Sequence, residues 1–192
     1  MRPAASMTSE SDCRWLEVSP DYYGRLQQFE CAVPSDGFFL GAKKKHGKYY
    51  HEYQLEVQNT IRGFRKCDPL SQWAHICVSA GSDGNDRILS FVWFGIINGR
   101  KTDGDGTYMV GYIARERSAR GCRFGDFTLK HALRVMKLDC AQSGRDDAIG
   151  ARVAPDNQES MALFLRNGFH DTGEDPNEPS YHRLIRFGFD DV

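Results

Sequence analysis

The sequence predicts an α/β domain built on a mixed, mostly antiparallel central sheet of about six to seven strands, with helices on both faces. Three observations carry that prediction. Apolar residues recur at spacings of three and four in several stretches, the mark of amphipathic helices. Between these stretches lie runs rich in Val, Ile, Phe and Trp, which read as strands. The middle runs are joined by short Gly/Asp/Asn turns, as in an antiparallel meander, whereas the last third alternates strand, helix, strand, helix, strand. A sheet covered by helices on both sides is the economical way to bury those stripes.

The elements follow in order. "CRWLEV" (Cys13 to Val18) reads as a first strand, and Tyr22 to Phe29 as a short helix. "PSDGFFLGAKKKHGK" (Pro34 to Lys48) is a glycine-rich, basic loop. Tyr50, Tyr53, Val57, Ile61 and Phe64 then form a helical stripe that Asp68-Pro69 closes. "WAHICVSA" (Trp73 to Ala80), "RILSFVWFGII" (Arg87 to Ile97) and "YMVGYIAR" (Tyr108 to Arg115) are strands separated by the turns "GSDGND" and "DGDGT". Phe124 to Cys140 returns to helical spacing, with Phe124, Phe127, Leu129, Leu133 and Met136 apolar. Asp147 to Ala154 is a strand, Pro155 to Phe169 a short helix ending at Gly168, and Ser180 to Phe189 the closing strand.

A chain of 192 residues is long enough for one domain with a real core, expected over 13–192, with residues 1–12 as a loose tail. The opening stretch has no apolar run of the secretory type, and no run approaches the roughly 18 apolar residues of a membrane span. A cytoplasmic protein without membrane contact is expected. A net charge of -1 offers no electrostatic reason for nucleic acid to be the main partner. The six cysteines are scattered without a C-x-x-C pair, so reduced thiols are expected. The six histidines show no metal-ligand spacing, and no metal is expected.

One stretch points to chemistry. In "RERSARGCRFGDF" (Arg115 to Phe127) a strand turns through glycine into a helix. The first helical N–H groups have no partner within the helix and carry about half a positive charge, so an anion is their natural ligand. Gly121 and Gly125 lack Cβ atoms and let such a ligand approach the backbone, while Arg115, Arg117, Arg120 and Arg123 supply a cationic rim. Neither G-x-G-x-x-G nor G-K-[ST] is present, which disfavours the Rossmann and Walker A alternatives.

Taken with "NQESMALFLRNGF" (Asn157 to Phe169), this turn resembles the GNAT superfamily of acetyl-CoA-dependent N-acetyltransferases. Arg120 and Gly125 match the ends of that family's [RQ]-x-x-G-x-[GA] loop, and Gly121 matches its R-G-x-G-x-G variant. Asn157, Ser160, Phe164, Gly168 and Phe169 match every defined position of N-x-x-[SA]-x-x-x-[YF]-x-x-x-G-F. The resemblance implies splayed central strands and acetyl-CoA as acyl donor. It also implies that the amides of Arg120, Gly121, Cys122, Arg123, Phe124 and Gly125 hold the pyrophosphate. The backbone at Ile113, Ala114 and Arg115 would pair with pantetheine as an added strand. Asn157 would hydrogen-bond the same arm, with Ser160 and Phe164 beside it. Helix Tyr50 to Phe64 lies where the family builds its acceptor site.

Two positions depart from the pattern. Arg123 replaces the inner glycine of the loop: a helical backbone there would leave its guanidinium for a phosphate, and the alternatives are a solvated arginine or a loop whose grip on the cofactor is impaired. Phe164 stands where many relatives carry a proton-donating tyrosine, which leaves Tyr112 and Glu116 as nearby candidates for acid and base. The implied activity is acetyl transfer to a primary amine of a small molecule or protein. The alternatives are a toxin-like enzyme acting on charged tRNA, slightly favoured by "KKKHGK" (Lys43 to Lys48), and a non-catalytic acyl-CoA-binding module. The oligomeric state, a homodimer included, stays open.

Overall fold

The sheet runs through the whole chain and places helices of early and late sequence on opposite faces. The computed structural model describes residues 13–81, 84–120, 123–190 and 192, and the expected tail, 1–12, lies outside them. The strands are β1 (Cys13–Glu17), β2 (Lys43–Lys45), β3 (Lys48–Tyr50), β4 (Gln72–Ala80), β5 (Asp86–Ile97), β6 (Thr107–Arg115), β7 (Ala148–Val153), β8 (His170–Asp175) and β9 (Glu178–Phe187). The helices are α1 (Tyr23–Leu26), α2 (Glu52–Gly63), α3 (Phe124–Ser143) and α4 (Gln158–Arg166). Seven strands form the main sheet in the order β1-β4-β5-β6-β7-β9-β8. All its pairs are antiparallel except β6 with β7.

Alternation along β4 assigns the faces. Ala74, Ile76 and Val78 pack with Leu26, Ile61 and Phe64 from the α1–α2 side, whereas Cys77 packs with Phe124 of α3 and His75 reaches His131. The larger core joins Leu129, Ala132, Leu133 and Met136 of α3 and Leu163 and Phe164 of α4 to Val92, Phe94, Tyr108, Val110 and Ile149.

The helix ends follow local chemistry. Gly144, with φ of 70°, closes α3 in the left-handed conformation that glycine adopts without penalty. The Asn157 side chain accepts the Ser160 amide at 3.2 Å and caps α4. Buried Gln58 of α2 accepts the amides of Cys31 (3.2 Å) and Ala32 (3.1 Å), fastening the segment after α1 to the helix.

One expectation needs correction, and one strand was not anticipated. The Pro34 to Lys48 segment is not loop throughout: Lys43–Lys45 and Lys48–Tyr50 pair as a hairpin, because Gly47 (φ 76°) and His46 (φ 49°) supply a tight turn. β8 is a strand with no strand signal in its sequence. Its "HDTGED" is polar and exposed over most of its length, and pairing with β9 along the sheet edge holds it.

The central irregularity is at β6. Trp93 pairs with Tyr112 and Phe94 with Val110, so Gly111 is an extra residue, a β-bulge. It inverts the alternation. Tyr108 and Val110 belong to the α3 core, whereas Tyr112 and Ala114 pack toward α2. On its other edge β6 pairs with β7 only from Tyr108 with Ile149 to Val110 with Ala151. Beyond that point the two strands separate.

Candidate active site

The separation of β6 from β7 opens two connected cavities. One, of about 800 Å³, runs from Ile113–Arg115 past the start of α3 to the first turn of α4. The other, of about 280 Å³, adjoins it between α2, β6, β7 and β9. Tyr53, Val57, Ile113, Asn157 and Ser160 line both, so they form the passage between them.

The larger cleft is cationic. Arg115, Arg120 and Arg123 line it beside the helical amides of Phe124, Gly125 and Asp126. The first intrahelical bond of α3 runs from the Phe127 amide to the Arg123 carbonyl at 3.2 Å, which leaves the preceding turn of amides toward the cleft. Asp126 is the one carboxylate in that turn, and Arg166 binds it through two contacts of 2.7 Å while Asn167 donates at 2.8 Å. The Arg166 hydrogen bonds hold the Asp126 carboxyl below its usual range, and the trio ties α3 to α4. Glu159 bridges Arg115 (3.1 Å) and Arg120 (2.8 Å) across the cleft. Nearby, His51 Nδ1 lies 3.0 Å from Asp156 Oδ2 and joins the start of α2 to the segment before α4. Gln54 Oε1, buried and without a hydrogen-bond partner among the described residues, belongs to the same cleft.

Gly125 tests whether this cleft is shaped for a ligand. A Cβ there would meet only Leu163 at 3.5 and 3.6 Å, ordinary contact distances, and its φ is not positive. The protein's own packing would therefore admit alanine, and the missing side chain leaves room in the cleft. Arg123 differs from expectation. It is not helical but left-handed, with φ 53° and ψ 21°, the conformation for which the glycine of the family pattern is suited. An L-residue there bears about 1–2 kcal/mol of strain.

The smaller cavity has the opposite character. Glu56 of α2 accepts from the phenols of Tyr112 (3.2 Å) and Tyr181 (3.0 Å). Burial, with Glu56 adding to it, pushes the Tyr181 phenol up to about 12 and raises that of Tyr112. Arg152, the lining cation, is already engaged by Asp175 (2.9 Å) and Glu178 (3.4 Å). Apolar walls come from Ile97, Met109, Val110 and Phe164.

No family model and no curated protein sequence matches the chain. Solved structures do. The crystal structure of AtaTR bound with AcCoA superposes with a TM-score of 0.60 at 16% identity, covering 91% of this chain and 92% of that one. Nourseothricin acetyltransferase gives 0.56 at 14% identity, with 92% and 98% covered. A structure described as a bacterial toxin gives 0.62 at 12% identity, with 91% and 90% covered.

The chain has the GNAT fold.

Within that fold the sequence-predicted residues divide. Ile113, Ala114, Arg115, Arg120, Arg123, Phe124, Gly125, Asn157 and Ser160 come together around the larger cleft. Gly121 and Cys122 lie outside the described residues. Phe164 is buried against Phe169 at a centroid distance of 5.0 Å and faces the smaller cavity. Tyr112 lines the same cavity. Glu116 lines neither: it pairs with Arg87 at 3.0 Å and accepts from Ser118, capping the turn Arg117–Ala119. Sequence reasoning did not single out Glu56, Glu178 or Tyr181. The only signal available was the placement of α2 opposite the splay, which marks a helix but not a residue.

Among the described residues no group of three or more His, Cys, Asp and Glu side chains is arranged to hold a metal, and no helix is long and apolar enough to cross a membrane.

Proposed function

We propose that the protein transfers an acetyl group from acetyl-CoA to a primary amine. The observation that carries this reading is the passage at the splay, where a cationic cleft meets a second cavity across Tyr53, Val57, Ile113, Asn157 and Ser160. Such a passage suits two substrates that meet end to end. The pyrophosphate would lie on the α3 amides between Arg120 and Arg123, where helix dipole and guanidinium charge both favour an anion. Pantetheine would run along Ile113–Arg115, whose β7-side edge has no strand partner in register. Its amide hydrogens would find an acceptor in Gln54 Oε1, and its carbonyls a donor in Asn157 Nδ2, since Asn157 Oδ1 is occupied by its cap. The fold shared with nourseothricin acetyltransferase supports the same class of reaction.

Transfer would then depend on holding the amine against the thioester carbonyl, an arrangement that supplies much of the barrier reduction without a dedicated acid. Calorimetry with acetyl-CoA, followed by thiol release in the presence of amines, tests the reading. Absence of binding at millimolar acetyl-CoA would refute it. Binding without thiol release across a broad amine panel would favour the non-catalytic module.

A second reading, a toxin-like enzyme acting on charged tRNA, is favoured by the β2–β3 hairpin. It carries Lys43, Lys44, Lys45 and Lys48 next to Ser35 and His51, which line the donor cleft. Growth arrest on expression, relieved by Gly125→Trp or Asn157→Ala, would support it. Whether the protein works in the cytoplasm or as a dimer belongs to the same proposal, and fractionation and light scattering would test each.

A further inference from the structure

We infer that the smaller cavity binds its acceptor as an ammonium ion on Glu56, and that the acceptor is a primary amine with an apolar body and no carboxylate beside the amine carbon. The inference rests on the acetyltransferase reading and adds the acceptor's chemistry to it.

The charge pattern is the first argument. Among the described residues Glu56 makes no ion pair; its partners are two phenols, neutral donors that orient both carboxylate oxygens and leave the negative charge uncompensated. The neighbouring Glu178 is partly satisfied by Arg152, which Asp175 also holds. An incoming cation therefore meets a net negative cavity with one unpaired carboxylate, whereas an incoming carboxylate would face two negative groups and no free cation among the described residues.

Placement is the second argument. Glu56 is one turn from Tyr53 and adjacent to Val57, both in the passage to the donor cleft. A nitrogen leaving the carboxylate for the passage moves toward the position of a thioester. Shape is the third. The cavity holds about 280 Å³ and is walled by Ile97, Met109, Val110 and Phe164. Those groups reward an alkyl or aryl body and offer nothing to a strongly hydrated one. The β6 bulge makes the arrangement possible, because inserting Gly111 turns Tyr112 toward α2 and Glu56.

The proton balance is simple. The ammonium gives one proton to Glu56 and becomes a nucleophile. Its nitrogen bonds to the acetyl carbon as the carbon–sulfur bond breaks, and the second proton released from nitrogen neutralises the departing thiolate. The products are the amide, the free thiol and one proton held by Glu56, which passes to water.

The test uses the intact protein, acetyl-CoA and three amines of matched body: 2-phenylethylamine, phenylalanine amide and phenylalanine, read by thiol release. The first two should be acetylated, and phenylalanine should lag its amide by about 30-fold in kcat/KM, the scale of repulsion by one close, partly screened like charge. Glu56→Gln should lower kcat/KM for the amide by about 10² or more, the usual loss with a proton acceptor, and bring phenylalanine and its amide toward parity. Its acetyl-CoA affinity by calorimetry should be unchanged, which separates the acceptor site from the donor site. Tyr181→Phe, which keeps the ring, should cause a smaller loss of about threefold to tenfold.

Equal use of phenylalanine and its amide, or an unaltered preference in Glu56→Gln, overturns the inference. Tight acetyl-CoA binding with no acetylation of either carboxylate-free amine overturns it while leaving the donor reading intact. No acetyl-CoA binding removes both.

Discussion

The two cavities at the splay differ in sign, in construction and in legibility. The larger cleft, the proposed donor site, is cationic and draws on residues 113–115, 120, 123–126 and 157–160, with the backbone amides at the start of α3 as its proposed ligating groups. The smaller cavity, the proposed acceptor site, is acidic and takes Glu56 from α2, Tyr112 from β6, Arg152 from β7, and Glu178 and Tyr181 from β9. A ligand bound by backbone needs a local conformation, and a short motif can encode one. A ligand bound by side chains needs distant elements to converge, and only the topology arranges that.

The largest test of this contrast is steric. Gly125→Ala should fold normally, since its Cβ meets Leu163 at ordinary contact distance. Gly125→Trp should fill the cleft and reduce acetyl-CoA affinity by about 100-fold or more, as expected when a bulky side chain takes the ligand's place. Thermal melting with and without acetyl-CoA checks both. The comparison breaks if Gly125→Trp keeps its ligand-induced stabilisation.

A control from under α3 keeps site effects apart from folding effects. His75 Nδ1 lies 2.7 Å from His131 Nε2, and His131 stacks on Trp15 at 3.8 Å. Burial depresses both, and His75's proximity helps bring His131 down to about 3. The unfolded chain therefore binds more protons than the folded one between about pH 3 and 6.5. The stability from neutral imidazoles is complete above pH 6.5 and is lost as the pH falls. Because His131 is partly exposed, we expect a discounted loss of about 1–2 kcal/mol between pH 7 and 4.5. Urea unfolding at the two pH values measures it, and His131→Gln should flatten the difference. Both cavities are best assayed above pH 6.5.

Legibility followed the same division. The helical stripes of α2 and α3 and the apolar runs of β4, β5 and β6 were readable because a periodic pattern states which face is buried. The gathering of Ile113, Ala114, Arg115, Arg120, Arg123, Phe124 and Gly125 around one cleft was readable because strand, glycine turn and helix form one local unit. β8 was not readable, since edge pairing with β9 needs no apolar face. Glu56 was not readable either: on an exposed helical position a glutamate bound by two tyrosines looks like any solvated charge. Glu116 misled for the converse reason. Close to the loop in sequence, it points to Arg87 and Ser118. Nothing in "YMVGYIAR" announced the bulge that Gly111 introduces, although that bulge decides which face Tyr112 occupies.

Arg123 sharpens the contrast by separating backbone from charge. Arg123→Gly relieves the left-handed strain but lets the unfolded chain roam more freely, for a net gain of about 0.5 kcal/mol in stability. It also removes an exposed cation from the cleft rim, which should weaken acetyl-CoA binding by about threefold to tenfold at low salt. Stability and affinity moving in opposite directions would assign Arg123 to the ligand. A fall in both would mean that the side chain supports the loop.

The smallest effect concerns Glu159, an anion that spans the cationic cleft. Glu159 pairs with Arg115 and Arg120, and its side chain is 68% exposed, so these pairs contribute little to folding. A pyrophosphate arriving at the same arginines must share them with that carboxylate. Glu159→Gln should therefore leave the melting temperature of the free protein nearly unchanged and raise acetyl-CoA affinity by about threefold, with the gain fading as salt rises. The acceptor side should not respond: the ratio of kcat/KM for phenylalanine amide to that for phenylalanine ought to match the wild type. A shifted ratio would mean that charge on the donor wall reaches across Tyr53 and Asn157, and that the two cavities are one electrostatic site.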